Sequence, residues 1–311
     1  MSAEHRPEVV SFFDPDTYTG THVVIDPATQ HCAIVDSVLD YDPNSGCTDE
    51  HSARRVLDFV RDRGLVVDWI LETHVHADHL SAAPLLKAEL GGRVGIGAHV
   101  ADVQGIFKEL FNAEPAFATD GRQFDALFAD GDEFTIGEMQ GRVLHTPGHT
   151  PACVAYVVGD AVFVGDTLFA PDFGTARCDF PGGDARTLFR SIQRVLSLPG
   201  ETRMFLCHDY PPEGREVQLE TSVAAQRSGN RHVHTDVTED EFVAMREARD
   251  ATLAMPVLIL QSVQVNMRAG EFPPPEDNGM RYLKMPVNAF RETAEDRAGE
   301  AMADDVRRGA A

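Results

Sequence analysis

The stretch His74-Val75-His76-Ala77-Asp78-His79 constrains this chain more than any other part of it. Three imidazoles and one carboxylate fall within six consecutive residues. Groups this close along the chain lose little conformational entropy when they converge on one ligand. Zinc accepts histidine nitrogen and carboxylate oxygen, and non-haem iron takes the same donors in other numbers. The segment reads as part of a metal centre; the bland alternative is a His-rich surface loop.

The flanking residues fit the metal reading. Residues 66–71 form an apolar run that predicts a buried strand, and 80–90 predict a helix with Asp78 near its start. The cluster then lies on a strand-to-helix turn at the carboxyl end of a strand, where α/β folds place ligands. Three later apolar runs end alike. Residues 142–145 lead to Thr146-Pro147-Gly148-His149, 161–164 to Gly165-Asp166, and 204–207 to His208-Asp209. Four strand ends carrying such groups are what one shared site requires. Elsewhere, 23–25 with 33–35, and 153–158 with 161–164, predict hairpins. Helices are predicted over 51–63, 185–196 and 239–251, a strand over 256–265, and a loop over 40–47. The residues from 291 onward are charged and Ala/Gly-rich, and read as a tail after a single catalytic domain over 1–290.

Composition removes several functions. With 43% hydrophobic residues the 311-residue chain can build a large core. Its net charge of -23 opposes sequence-independent nucleic-acid binding and anionic membranes. An anionic substrate would need a local basic pocket. No apolar run approaches the ~20 residues of a membrane span, and the start lacks a signal-peptide pattern. The five cysteines include no close Cys-x-x-Cys pair, which points to a reducing, cytoplasmic setting.

Taken together, the His-x-His-x-Asp-His, Pro-Gly-His-Thr and Gly-Asp-Thr motifs and the strand-end His208 resemble the metallo-β-lactamase superfamily over roughly residues 20–270. The resemblance implies an α/β, four-layered αββα sandwich. It implies one metal position lined by His74, His76 and His149, a second lined by Asp78, His79 and His208, and Asp166 between them. Within the superfamily the chain resembles glyoxalase II and, more closely, the persulfide dioxygenases. The segments Arg177-Cys178-Asp179-Phe180, His208-Asp209-Tyr210 and Asn266-Met267-Arg268-Ala269-Gly270 carry that likeness, with the short spacing from His149 to Asp166. Residues 274–279 and 281–284 are similar to a longer bacterial subgroup. The dioxygenase resemblance implies one Fe(II) on His74, His149 and Asp166. His76, Asp78, His79 and His208 would then support it or hold a second metal. Glutathione persulfide and dioxygen would be the substrates, sulfite and glutathione the products, and a homodimer the assembly. The alternatives are a dinuclear zinc hydrolase of glutathione thioesters and a non-catalytic metal-dependent binding protein.

Arg177 and Tyr210 are candidates for catalysis and substrate contact, the arginine because a guanidinium pairs with carboxylates in a fork. Arg268, Arg281 and Lys284 are candidate anchors. Cys178 reads as a buried, inert thiol, His145 as a strand or loop residue, and His232-Val233-His234 as surface polarity. Asp130-Gly131-Asp132 reads as a hairpin turn.

Overall fold

A computed structural model describes residues 6–289. The first half runs β1 Glu8–Asp14, β2 Thr19–Ile25, β3 His31–Val35, β4 Val38–Asp42, β5 Cys47–Asp49, α1 His51–Asp62, β6 Val66–Leu71, β7 Leu80–Ser81, α2 Ala83–Leu90, β8 Arg93–Gly97, α3 Val100–Leu110 and β9 Ala126–Phe128. The second half runs β10 Glu133–Ile136, β11 Met139–His145, β12 Val154–Val158, β13 Ala161–Phe163, α4 Ala185–Leu196, β14 Arg203–Phe205, β15 Glu220–Ser222, α5 Val223–Gly229, α6 Glu239–Asp250 and α7 Ile259–Asn266.

Each half makes a six-stranded sheet. Their orders are β1-β2-β3-β6-β8-β9 and β10-β11-β12-β13-β14-β15. Period-2 alternation decides which side chains face which layer. In β3, Cys32 and Ile34 face a core shared with α1, α2, α3 and α7, whereas Ala33 and Val35 face the other sheet. In β12 and β13, Ala155 and Val162 face the layer of α4, α5 and α6, whereas Tyr156 and Phe163 fill the space between the sheets. Both faces of each sheet are thus covered, and the layers stack as α, β, β, α. The expected fold class holds. No helix among the described residues is long and apolar enough to cross a membrane.

Three sequence expectations need adjustment. Residues 256–265 are not a strand; a turn leads into α7, which buries Ile259, Ser262, Val263 and Asn266 at helical spacing. A short apolar, β-branched run cannot be assigned by periodicity alone. The helix expected over 80–90 starts only at Ala83, with Pro84 in its first turn, because Leu80 and Ser81 pair with β4 instead. Asp78 therefore lies in a loop. Within the loop expected over 40–47, residues 40–42 belong to β4 and Cys47 to β5, and only 43–46 form the hairpin turn. The tail from 291 onward lies outside the described residues.

His22 on β2 is fully buried against Phe163 and Phe205, and its Nε2 donates to the Leu206 carbonyl at 3.0 Å. Burial holds its pKa down to about 4. The unfolded chain, with histidine near 6.5, takes up the proton first. The stability this represents is complete above about 6.5 and disappears as pH falls through about 4, a loss on the order of 3 kcal/mol. Urea titrations between pH 7 and 4 should show a shallower fall in stability for His22→Gln than for the parent. Identical slopes would remove His22 from the acid response.

Candidate metal centre

The loop after β6 has no regular structure, so its side chains need partners from elsewhere. Asp36, one residue past β3, supplies most of them. Its carboxylate accepts the Thr73 N–H at 2.8 Å, the Thr73 hydroxyl at 2.9 Å and His76 Nε2 at 2.9 Å. Burial would raise this carboxyl, but the facing His76 imidazole and both Thr73 donors hold it below its ordinary value.

Hydrogen bonding fixes which nitrogen each imidazole presents. Because Thr73 gives its hydroxyl proton to Asp36, its oxygen receives His74 Nδ1–H at 3.0 Å. His149 Nδ1 donates to the Arg177 carbonyl at 2.8 Å. His208 Nδ1 donates to the Tyr18 carbonyl at 3.3 Å, and His79 Nδ1 lies 3.1 Å from Asp78 Oδ2. His74, His79, His149 and His208 thus turn Nε2 inward, and His76 turns Nδ1. Metal-binding histidines are oriented by partners of this kind.

Buried polar atoms are almost always paired. Here His74 Nε2, His76 Nδ1, His79 Nε2 and Asp166 Oδ1 are all buried without a hydrogen-bond partner. Asp166 Oδ2 lies 3.8 Å from His74 Nε2 and 3.5 Å from His149 Nε2. Its Oδ1 lies 3.3 Å from His208 Nε2, which lies 3.3 Å from Asp78 Oδ2. Donors ~2.1 Å from a tetrahedral ion stand about 3.4 Å apart, so the separations fit an ion held among them. Burial and the neighbouring imidazoles keep His74 well below its usual pKa, which leaves its lone pair available. The cluster is a metal-binding site.

The donors sort into two sets. His74, His149 and Asp166 form one; His76, Asp78, His79 and His208 form the other. His76 also lies beside Asp36 and Glu72, and its ring centroid is 4.1 Å from that of His74 in the first set.

Two glycines permit this convergence. Gly148 has φ +134°, and a Cβ there would stand 2.3 Å from the Leu188 backbone on α4. Gly165 has φ +50°, and a Cβ there would meet Thr73 Oγ1 at 2.5 Å. The Pro-Gly-His-Thr and Gly-Asp-Thr motifs are close-contact motifs as much as ligand motifs.

A cavity of about 410 Å³ opens over the cluster. His149, Asp78 and Asp166 line it, together with Phe169, Phe173, Phe180 and Tyr210. Burial and the nearby Asp78 and Asp166 push the Tyr210 phenol up, so it stays a neutral donor. Arg177 reaches the cavity, but Asp179 takes its guanidinium at 2.6 and 2.7 Å, and the Ala254 carbonyl takes a further N–H. Its fork is already filled.

The three candidate anchors lie elsewhere. Arg268 pairs with Glu114 at 2.7 and 2.8 Å, and with Lys284 it lines a separate pocket. Arg281 is exposed and donates to the Phe272 and Pro273 carbonyls. Their charges are not delivered to the metal cavity. His145 is outside the cluster, stacked on His99 at 4.4 Å. Cys178 is buried, which pushes its thiol up and fits the inert reading. His232 is not a surface group. It is buried, accepts the Thr175 N–H at 3.1 Å, and burial with nearby Arg246 holds its pKa at about 4.

The model of the metallo-β-lactamase superfamily matches residues 18–208, more than half of the chain. The chain belongs to that superfamily. A Burkholderia pseudomallei protein named a probable metallo-hydrolase is 58% identical, over 91% of this chain and 99% of its own. Glyoxylase B2 of Dictyostelium discoideum is 49% identical, over 94% and 100%. The mitochondrial persulfide dioxygenase ETHE1 of Bos taurus is 29% identical, over 85% and 89%. Among solved structures, ETHE1 from Myxococcus xanthus has TM-score 0.67 and 30% identity, over 85% of this chain and 100% of its own.

In this superfamily member the sequence reading passed over two supporting residues. Asp36 stands directly after the apolar run Ala33-Ile34-Val35, the same strand-end signal that marked Asp166 and His208. Asn266 opens the Asn266-Met267-Arg268-Ala269-Gly270 segment, two residues before its charged arginine. Its Nδ2 donates to the His76 and His79 carbonyls at 2.9 and 2.7 Å, and its Oδ1 accepts the Ser81 N–H at 2.8 Å. Asn266→Ala leaves three buried backbone groups unpaired. Unpaired groups cost ~1–3 kcal/mol each, so urea unfolding of metal-free protein should register a loss of about 3 kcal/mol. A loss below about 0.5 kcal/mol, the size of an ordinary surface substitution, would overturn this role.

Proposed function

We propose that the chain is a two-metal hydrolase acting on thioesters of a small thiol of the glutathione class. The observation that carries this reading is Asp166, whose two carboxylate oxygens face different imidazole sets. In the proposal His74 and His149 would hold one ion and His76, Asp78, His79 and His208 the other, with Asp166 within reach of both sets. Such a pair of ions supplies activated water and charge stabilisation for hydrolysis. Water adds its oxygen to the acyl carbon, the carbon–sulfur bond breaks, and thiol and carboxylic acid leave. Tyr210 is the proposed donor to the substrate, since its neutral phenol lines the cavity. Arg177 acts through its carbonyl, which orients His149, and through the wall it makes with Phe180. The names of the relatives at 58% and 49% identity favour the same chemistry.

A second reading is favoured by the Arg177-to-Phe180 and His208-to-Tyr210 segments and by the ETHE1 relatives. There a single Fe(II) on His74, His149 and Asp166 supports oxidation of glutathione persulfide. Two histidines and a carboxylate leave open positions on iron. The outer sulfur loses four electrons in becoming sulfite, dioxygen accepts four, and water supplies the third sulfite oxygen as the sulfur–sulfur bond breaks and glutathione leaves as its thiol.

Metal analysis of protein purified without added metal, paired with two assays, separates the readings. The hydrolase predicts two ions per chain and thiol release from a glutathione thioester under anaerobic conditions. One iron per chain, with oxygen uptake on glutathione persulfide and no thioester cleavage, would replace it by the dioxygenase. Substitution sharpens the distinction. Asp166→Ala should strip the metal, and His208→Ala should remove one ion of the pair. Full metal retention in His208→Ala would break the two-ion proposal.

A further inference from the structure

The cavity over the cluster carries an asymmetry of charge. Three arginines line it: Arg177, Arg246 and Arg249. The first is neutralised by Asp179. Arg246 is buried on α6 and neutralised by Asp250, which accepts from its Nε at 2.9 Å and its Nη2 at 2.6 Å, while the Thr175 carbonyl takes Nη1. Arg249 lies three residues further along α6, on the same helical face. It is half-buried at the cavity and has no carboxylate partner among the described residues. In a chain of net charge -23, an unpaired guanidinium beside an apolar wall is the feature an anionic ligand group would seek.

We infer that Arg249 is a specificity-determining residue that anchors a carboxylate on the non-reacting part of the substrate, while the sulfur end lies over the metal centre. This rests on the proposed small-thiol substrate, and it holds for thioester or persulfide alike, because both present the same carboxylates. A guanidinium–carboxylate pair of this kind is charge-assisted and bidentate, which gives geometric selection as well as affinity.

The test uses the metal-loaded full chain with glutathione and with glutathione diethyl ester, whose carboxylates are neutral. Isothermal titration calorimetry should give a Kd for glutathione about ten- to a hundredfold weaker in Arg249→Ala, the scale of one charged pair. Arg249→Lys should recover part of the loss. The diethyl ester should bind the parent weakly and be almost indifferent to the substitution. In turnover the loss should fall on KM rather than kcat. Metal content and thermal melting of each variant separate loss of the anchor from misfolding. An unchanged Kd in a folded, metal-loaded Arg249→Ala would overturn the inference. So would equal weakening for glutathione and its ester, or a parent that binds both alike. Failure of turnover with every glutathione derivative would sink the proposed function, yet a carboxylate-dependent Kd that vanishes in Arg249→Ala would still uphold the anchor.

Discussion

A single buried carboxylate organises the centre. Asp36 adopts a positive φ of 53° just beyond a core strand, a conformation that aspartate tolerates better than most residues. There it gathers the Thr73 amide, the Thr73 hydroxyl and the His76 ring. Through the Thr73 hydroxyl its influence reaches His74 as well. Two of the inward-facing nitrogens therefore owe their direction to one side chain that belongs to neither of the two donor sets. A loop with three imidazoles and no regular hydrogen bonds of its own would otherwise sample many arrangements. Fixing it in advance lowers the entropic cost of ligation.

The remaining donors come from the opposite sheet, so the packing between the sheets sets the spacing of the centre. Trp69, Phe128, Phe134, Tyr156, Phe163 and Phe205 fill that interface with edge-on, tilted and stacked ring contacts. Polar ties cross it close to the loop. The Tyr156 hydroxyl donates to the Glu72 carbonyl at 2.8 Å, and Val154 N–H donates to the Thr73 carbonyl at 2.9 Å. Interiors packed this densely do not shift by small increments. The two sheets hold the donors as a rigid frame would.

Much of this was legible in the sequence, for a physical reason. Ligand motifs need close spacing and special glycines, and both leave local traces. The cluster at 74–79, His149, Asp166 and His208 were found that way, as were the hairpin at 154–163 and helix α4. What escaped depends on contacts between distant residues. The charge on Arg268 attracted attention, but Glu114, far away in sequence, had already neutralised it. Residues 256–265 looked like a strand because composition does not say which face will be buried. Arg249 resembled any surface arginine of a charged helix until the fold brought that helix over the cavity. His232 looked like a polar surface group until Thr175 and Arg246 were seen around it.

Asn266 has a consequence for the order of events in folding. It caps carbonyls of a loop 187 residues earlier in the chain. A nascent chain on the ribosome therefore carries an unfinished cradle until α7 has emerged. Contacts of such long range form slowly, because loop closure must precede the gain. Maturation of the centre is then a late step, coupled to the arrival of α7 rather than to synthesis of the histidines themselves.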